Sequence, residues 1–483
     1  MTAGSAVPTA PALDVVIGVD LGTTSSKAVV RDLRGGVNAL VSARTPWATV
    51  GEGTETTAAA MLALTVDLLA TAVRTAERQV GRVRVLGVGV TGMGECGVLL
   101  DAAGEPCAPV VAWFDQRGAR ALDEVGRRAP VLPEQFARRT GLPWDSQASL
   151  AKLLWLRDAG QPLTSAHRWA SIPEWVVHRL GGDLVREPSL ASRTGLIDQA
   201  TGAVWEEGVR AAGLPTTLLL PPLAAGSAAG TLRHAGLPAA LRGAVLTVAG
   251  HDHPVAALGA GAAGVDELFN SSGTADVVAR ALPGVLDDDR RELLVRSGLS
   301  VGAHVLPATT LLLGGARGGL LLRRVLGLLG VTGPLERDCL DRVALGVGAL
   351  PPGLEVSGAG PTGDDVVLRL RDDVTPAHVW AAATRYTAAA TATLIESIDA
   401  VVGPHRRAIA CGGWTRMESV RAAKRSAIAH LRFSDVREPG VVGAALLAAQ
   451  AAGVATAAGV APALARPANS RDRSIGAISG GNP

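Results

Sequence analysis

The run Val15-Val-Ile-Gly-Val-Asp20-Leu-Gly22-Thr23-Thr24-Ser25-Ser26-Lys27-Ala28-Val29-Val30 decides how this chain is read. An apolar stretch of strand length ends on an acidic residue, turns through Gly-Thr-Thr-Ser, and resumes as a second apolar stretch. Strand, hydroxyl-rich turn, strand is a hairpin suited to phosphate. Gly22 lets a backbone approach closely, N–H groups and the hydroxyls of Thr23, Thr24 and Ser25 can point at phosphate oxygens, and Asp20 can hold a hydrated Mg²⁺. An ordinary hairpin with a polar turn carries the same local pattern, so the rest of the chain has to decide between them.

The second half begins as the first does. Gly250-His251-Asp252-His253 follows an apolar strand, and Leu268-Phe-Asn-Ser-Ser-Gly273-Thr274-Ala-Asp-Val-Val-Ala279 again reads strand, Gly-Thr turn, strand. The two turns stand about 250 residues apart, which implies a duplicated fold gripping one phosphate chain from both sides. Between them, strand-like and helix-like segments alternate, the pattern of an α/β protein. Thr57 to Gln79 reads as a helix, with Met61, Leu64, Leu68 and Val73 near helical spacing, and Arg82 to Val90 as a buried strand leading to Thr91-Gly-Met-Gly94-Glu95. The stretch from Pro215 to Gly230, rich in Pro, Ala, Gly and Leu, reads as a connection before a new strand at Ala244 to Ala249. The expected boundary therefore falls near Gly243, giving domains over 14–243 and 244–465. A loose tail is expected over 466–483.

Composition narrows the partner. The chain has 483 residues, enough for two full cores, with 46 basic and 44 acidic residues and a net charge of +2. That balance offers no electrostatic footprint for nucleic acid, and an aromatic content of 3% offers few platforms for stacked bases. A small molecule is the expected partner. Four scattered cysteines (Cys96, Cys107, Cys339 and Cys411) make neither a disulfide framework nor a zinc site. Met1 to Leu13 has no basic residue and no sustained apolar core, so no signal peptide is expected there. Val441 to Ala465 is long enough to span a bilayer, but it is rich in Ala and Gly and interrupted by Pro462. It reads better as a buried helix followed by a shorter one. A soluble cytoplasmic protein, without membrane or nucleic-acid partners, is expected.

Two apparent dinucleotide fingerprints, Gly87-Val-Gly89-Val-Thr-Gly92 and Gly259-Ala-Gly261-Ala-Ala-Gly264, are decoys. The fingerprint requires a helix directly after the turn, and here each is followed by another strand-like run. No G-x-x-x-x-G-K-[ST] occurs, so the nucleotide site is not a P-loop.

Taken in order, the motifs resemble those of the FGGY carbohydrate kinases, within the actin, hexokinase and heat-shock chaperone ATPase superfamily. The resemblance runs from 14 to 450. It is carried by Asp20-Leu-Gly-Thr-Thr-Ser-Ser-Lys27, Trp113-Phe-Asp115-Gln-Arg117, Thr140-Gly-Leu-Pro143 with Lys152-Leu-Leu-Trp155, Gly250-His-Asp252-His, Gly273-Thr274, Gly412-Gly413 and Glu438-Pro-Gly440-Val-Val-Gly443. It implies two ribonuclease-H-like (actin-like ATPase) domains around a central cleft. It also implies transfer of phosphate from ATP, with Mg²⁺, to a hydroxyl of a small sugar or polyol, and it leaves room for a homodimer.

The same resemblance assigns roles. Asp252 matches the catalytic base, although an Asp before His-Pro could also cap a helix. Asp20 organises Mg²⁺; Thr23, Thr24, Ser25 and Lys27 face the phosphates; Gly273 and Thr274 close on them from the second domain. Gly413 and Gly319 lie against the adenosine, Gly319 being equally readable as a packing glycine. On the acceptor side, Glu95 falls on the glutamate with which glycerol kinase binds glycerol, and Trp113 on an aromatic that packs on acceptor carbons. Gln147 replaces glycerol kinase's pocket tyrosine, Gly94 its arginine, and His253 the glutamine after its catalytic Asp. Gly and Gln in place of Arg and Tyr remove bulk but keep hydrogen-bonding capacity. The expected acceptor is therefore larger than glycerol, of about four to six carbons, such as a ketopentose or sugar alcohol.

The chain also departs from the family. Met417 stands where glycerol kinase has an adenine-side Asn, the adenine-side tryptophan falls on Arg323 or Arg324, and the Lys152 signature ends in Arg157-Asp158-Ala159 without its last polar residue. These departures keep open an alternative, a catalytically weak relative that binds a sugar and regulates.

Overall fold

The computed structural model describes residues 11–454, apart from 34–36, 162, 263, 359–365 and 372, together with the backbone of Gly476–Ala477. The opening run forms the expected hairpin. Leu13–Leu21 pairs antiparallel with Ser25–Asp32, setting Asp20 opposite Lys27, and Ser25–Asp32 pairs with Asn38–Arg44. On its other side Leu13–Leu21 runs parallel to Val83–Gly92, which in turn runs parallel to Val245–His251. Val15, Val16, Ile17 and Val19 are all fully buried, because helices cover both faces of this sheet; that is why the strand reads as a continuous apolar run.

One face is covered by the helix Ala58–Val80, capped by Thr57 and burying Met61, Leu68, Leu69 and Val73. Among the described residues this one helix is long and apolar enough to cross a membrane by length and composition. The opposite face is covered by Pro439–Ala451, the helix expected within the apolar run after Val441. A Cβ on Gly18, Gly87 or Gly89 would strike the carbonyls of Val441, Ala448 and Ala444, so a stripe of glycines lets this helix settle directly on the sheet. The first apparent dinucleotide fingerprint is thus a packing device inside a strand. In the second, Gly259 lies within a helix, against the Pro439 carbonyl.

The second sheet repeats the first. Glu267–Ser272 and Asp276–Pro283 form its hairpin; Asp276–Pro283 pairs antiparallel with Thr309–Ala316, and Glu267–Ser272 runs parallel to Arg407–Cys411, itself parallel to Leu431–Phe433. Both sheets therefore place the turn-bearing hairpin at their centre with parallel strands on one flank. An added strand, Ser300–Ala303, edges the second sheet.

The boundary expected at Gly243 is displaced. Val245–His251, which that boundary places in the second domain, is a strand of the first sheet. Without it Val83–Gly92 would end that sheet as an open edge of unpaired backbone groups. The Pro215–Gly230 stretch is an irregular crossover within the first unit, not an interdomain linker. The helix Pro439–Ala451, far along the chain, also packs on the first sheet. The expected tail over 466–483 lies outside the described residues except Gly476–Ala477, which pair parallel with Val41 and Ser42. The shorter helix expected after Ala451 also lies mostly outside them.

Candidate active site

The candidate residues Asp20 and Asp252 stand at the ends of two strands of the first sheet. Asp20 ends the first strand of its sheet, and Gly440 at the start of the Pro439–Ala451 helix comes up against its Oδ2. Oδ1 of Asp20 is buried without a hydrogen-bond partner. Burial, with Asp252 nearby, pushes its carboxyl up to about 7 despite the opposing pull of Lys27. Asp252 is the first residue of the helix Asp252–Ala260 rather than its cap, and its Oδ1 likewise has no hydrogen-bond partner. The capping alternative is therefore not the arrangement found. His251 Nε2 stands 3.2 Å and His253 Nε2 3.8 Å from that oxygen. Burial drives the His251 imidazole down to about 4, so at neutral pH it is an uncharged neighbour.

The first turn is pinned by tryptophans. Trp113 Nε1 donates to Thr23 Oγ1 at 2.9 Å and Trp47 Nε1 donates to the Thr23 carbonyl at 2.8 Å. Thr45 Oγ1 donates to the Gly22 carbonyl at 2.6 Å and shares a bond with Ser26. Thr24 is exposed at the tip and Ser25 half-buried beside it. Lys27, expected at the phosphates, donates from Nζ to Glu438 Oε2 at 2.7 Å.

Glu95 is buried, and Trp113 and Gln147 are set by Lys152. This lysine, 2% exposed, donates to the carbonyls of Trp113 at 2.8 Å and Gln147 at 2.6 Å, and also to that of Ser146. Sequence reading quoted Lys152 in a motif but gave it no task; here it is a staple joining two acceptor-side segments. The paired motif residues also meet: the Arg117 guanidinium lies 4.3 Å over the Trp155 ring and is anchored by Asp115 and Glu55. Gln147 projects from an exposed position, and the His253 side chain is partly exposed.

In the second turn Gly273 N–H donates to the Ala275 carbonyl at 3.0 Å, leaving Thr274 exposed at the tip. Beneath it lies a buried network that sequence reading missed. Lys424 Nζ reaches Asp276 Oδ2 at 2.9 Å and Asn270 Oδ1 at 2.8 Å, while Ser272 Oγ donates to Asp276 Oδ1 at 3.0 Å. The helix Gly318–Leu328 abuts this turn through Gly319, where a Cβ would strike the Gly273 carbonyl and lie 2.7 Å from Trp414 Nε1. Gly319 thus packs against the second turn. A Cβ on the exposed Gly413 would meet open space, whereas Gly412 (φ 116°) packs on the Ser272 backbone. Met417 is buried in the core with Trp380, and Arg323 and Arg324 are exposed. A cavity of about 470 Å³, lined by Arg186, Glu187, Gln199, Arg291 and His304 among others, contains none of the expected site residues.

The family model for the FGGY family of carbohydrate kinases, N-terminal domain, matches residues 15–259. The L-fuculokinase of Salmonella typhi is 29% identical over 272 residues, 55% of this chain and 56% of that protein. The xylulose kinase of Streptomyces coelicolor is 30% identical over 277 residues, 56% of this chain and 55% of that protein. The chain thus spans about half the length of the curated relatives it matches. Among solved structures, the xylulose kinase from Rhodospirillum rubrum superposes with a TM-score of 0.80 at 25% identity, covering 93% of this chain and 92% of that one. The Plasmodium falciparum glycerol kinase with ADP also gives 0.80, at 16% identity over 94% and 93%, a likeness of fold alone.

Proposed function

Because this chain belongs to the FGGY family of carbohydrate kinases, we propose that it transfers the terminal phosphoryl group of ATP to a hydroxyl of a small sugar or polyol. The observation that best supports this reading is a pair of carboxylate oxygens, Asp20 Oδ1 and Asp252 Oδ1, both buried and both without a hydrogen-bond partner. Burying such groups unpaired is costly, so they are kept for ligands rather than for stability. The regulatory alternative has no use for an unpartnered Asp252.

Asp252 is the base. Its side chain, 27% exposed, is open to the cleft, and uncharged His251 beside it does not neutralise it. A hydroxyl placed against the exposed part of this carboxylate can give up its proton as the oxygen bonds to phosphorus, an effect of ~10²–10⁴ in rate. Glu95, Trp113, Gln147 and His253 bound the acceptor side; Gly273, Thr274 and the Thr23–Ser25 turn bound the phosphates, and Gly413 the nucleoside. The orphaned, proton-retaining Asp20 fits a divalent cation. Mg²⁺ held there, largely through water, would offset the charge of the transferring phosphoryl group.

The test is ADP release with Mg-ATP across tetritols, pentitols, ketopentoses, hexitols, ketohexoses and aldonates, repeated with Asp252→Asn. One strong responder is expected, with the variant at least about 10²-fold slower and acceptor binding nearly unchanged. A variant with wild-type turnover would remove Asp252 from this role.

A further inference from the structure

Arg193 lies 98 positions beyond Glu95, yet its guanidinium is committed to that carboxylate. Nε donates to Glu95 Oε1 at 2.8 Å, and Nη2 stands 2.8 Å from the same oxygen. Nη1 donates to Ser300 Oγ at 2.8 Å, across the cleft on the edge strand of the second sheet. Gly94 makes room for this arrangement: a Cβ there would lie 2.5 Å from Arg193 Cγ and 3.1 Å from His251 Cδ2. The space opened by that glycine, expected to enlarge the acceptor pocket, is therefore taken up by an arginine from another segment. Among the described residues, Oε2 of Glu95 receives no hydrogen bond, while Oε1 is held twice.

A carboxylate fixed by one oxygen and open at the other accepts O–H groups in a single direction. The cations that could have welcomed an anion here are already spent. Arg193 has a protein partner at each nitrogen, Lys152 serves three backbone carbonyls, and His251, which also bears on Glu95, is kept uncharged at neutral pH by burial. A carboxylate on the acceptor would face Glu95 Oε2, with Arg193 and Lys152 already engaged by the protein.

We propose that Arg193 is the positioning residue that sets acceptor charge: it fixes Glu95 as a hydroxyl-accepting carboxylate, so the site takes uncharged sugars or polyols and rejects aldonates of the same length. The inference rests on Glu95 being on the acceptor side, as in the reading above.

The experiment is calorimetric titration of the full chain with an alditol and with the aldonate of equal carbon number, alongside Mg-ADP as nucleotide probe. The wild type binds the alditol about 100-fold or more tighter, since like-charge apposition is strongly unfavourable. Arg193→Ala weakens alditol binding by about 10–100-fold and leaves Mg-ADP within about twofold, and Arg193→Lys restores part of the loss, because a point charge replaces a fork. Should Arg193→Ala fail to fold, Ser300→Ala frees Nη1 while keeping the Glu95 pair, and raises aldonate affinity several-fold with the alditol unchanged. Equal affinity for the two acceptors, or equal loss of acceptor and nucleotide in Arg193→Ala, overturns the proposal. Selective binding of the alditol without turnover of any acceptor would remove the kinase reading and leave this one. Phosphorylation of aldonates as readily as alditols would do the reverse.

Discussion

Asp20 should make the ligand-free protein less stable, and increasingly so as pH rises. Its carboxyl holds a proton up to about 7 in the folded chain, against 3.8 as the ordinary value, chiefly because ionisation would place a charge in a buried site already facing Asp252. A raised folded-state value means that the stability linked to this proton is complete below about 3.8 and is lost as pH climbs through about 7. The gap is about three units, and at about 1.4 kcal/mol per unit it amounts to about 4 kcal/mol at pH 8. Asp20→Asn removes the titration while keeping the shape. The variant is expected to match the wild type near pH 4 and to melt on the order of 10 °C higher at pH 8, using about 2–4 °C per kcal/mol for a unit of this size. Calorimetry of the ligand-free protein from pH 4 to 8 reads this directly. Mg-ADP should then reverse the order, raising the wild type's melting temperature and scarcely moving the variant's. A wild-type stability that is flat over that range, or a variant no more stable at pH 8, would refute the argument that Asp20 is held unpaired for a cation.

Two further substitutions test the second turn. Gly319→Ala drives a methyl into the Gly273 carbonyl, and should raise the nucleotide KM about tenfold or more while acceptor affinity stays within about twofold, as steady-state kinetics and titration would show. Lys424→Met leaves Asp276 charged and buried without its partner. Denaturant unfolding should show a loss of about 3–5 kcal/mol, most of it recovered when Asp276→Asn is added.

What the sequence made legible was local. The two strand–turn–strand units were readable because each is a short apolar run ending in a Gly-Thr turn, and the helix over Ala58–Val80 because its apolar period and Thr57 cap lie within one segment. The boundary was misplaced because the partner of a strand is not written beside it. Val245–His251 carries no mark saying that it pairs with Val83–Gly92. The site divides in the same way. Asp20 and Asp252 stand out as candidates from their own turns, whereas Arg193 on Glu95, Glu438 on Lys27 and Lys424 on Asp276 are pairs of residues separated by 98, 411 and 148 positions. The place of Lys27 in the turn is visible in the sequence; its distant partner Glu438 is not. Gly94 shows the opposite error: a missing side chain suggested space, but whether space is empty depends on what else folds into it.

The duplication makes the charge pattern of the two turns informative. Both hairpins are built alike, and each carries an acidic residue near its turn: Asp20 at the end of the incoming strand and Asp276 at the start of the outgoing one. In the second turn that charge is closed, with Lys424, Asn270 and Ser272 occupying the carboxylate from within the fold. In the first it is left open: Asp20 Oδ1 has no partner, and Lys27, directly across the ladder, is drawn away to Glu438. A fold that can satisfy such a carboxylate in one copy and leaves it unsatisfied in the other keeps the open copy for something outside the chain. The unmet group is a carboxyl that keeps its proton up to about pH 7, so a cation would take that proton's place, and the unpartnered Asp252, proposed as the base, bears on it. On the proposed function, a cation would therefore sit with the first turn, while the second turn, its Asp276 paired with Lys424, would offer phosphate the exposed Thr274 hydroxyl. Phosphate oxygens gripped between the two would meet a metal from one side and neutral donors from the other. That asymmetry suits a group whose charge must grow toward one partner during transfer.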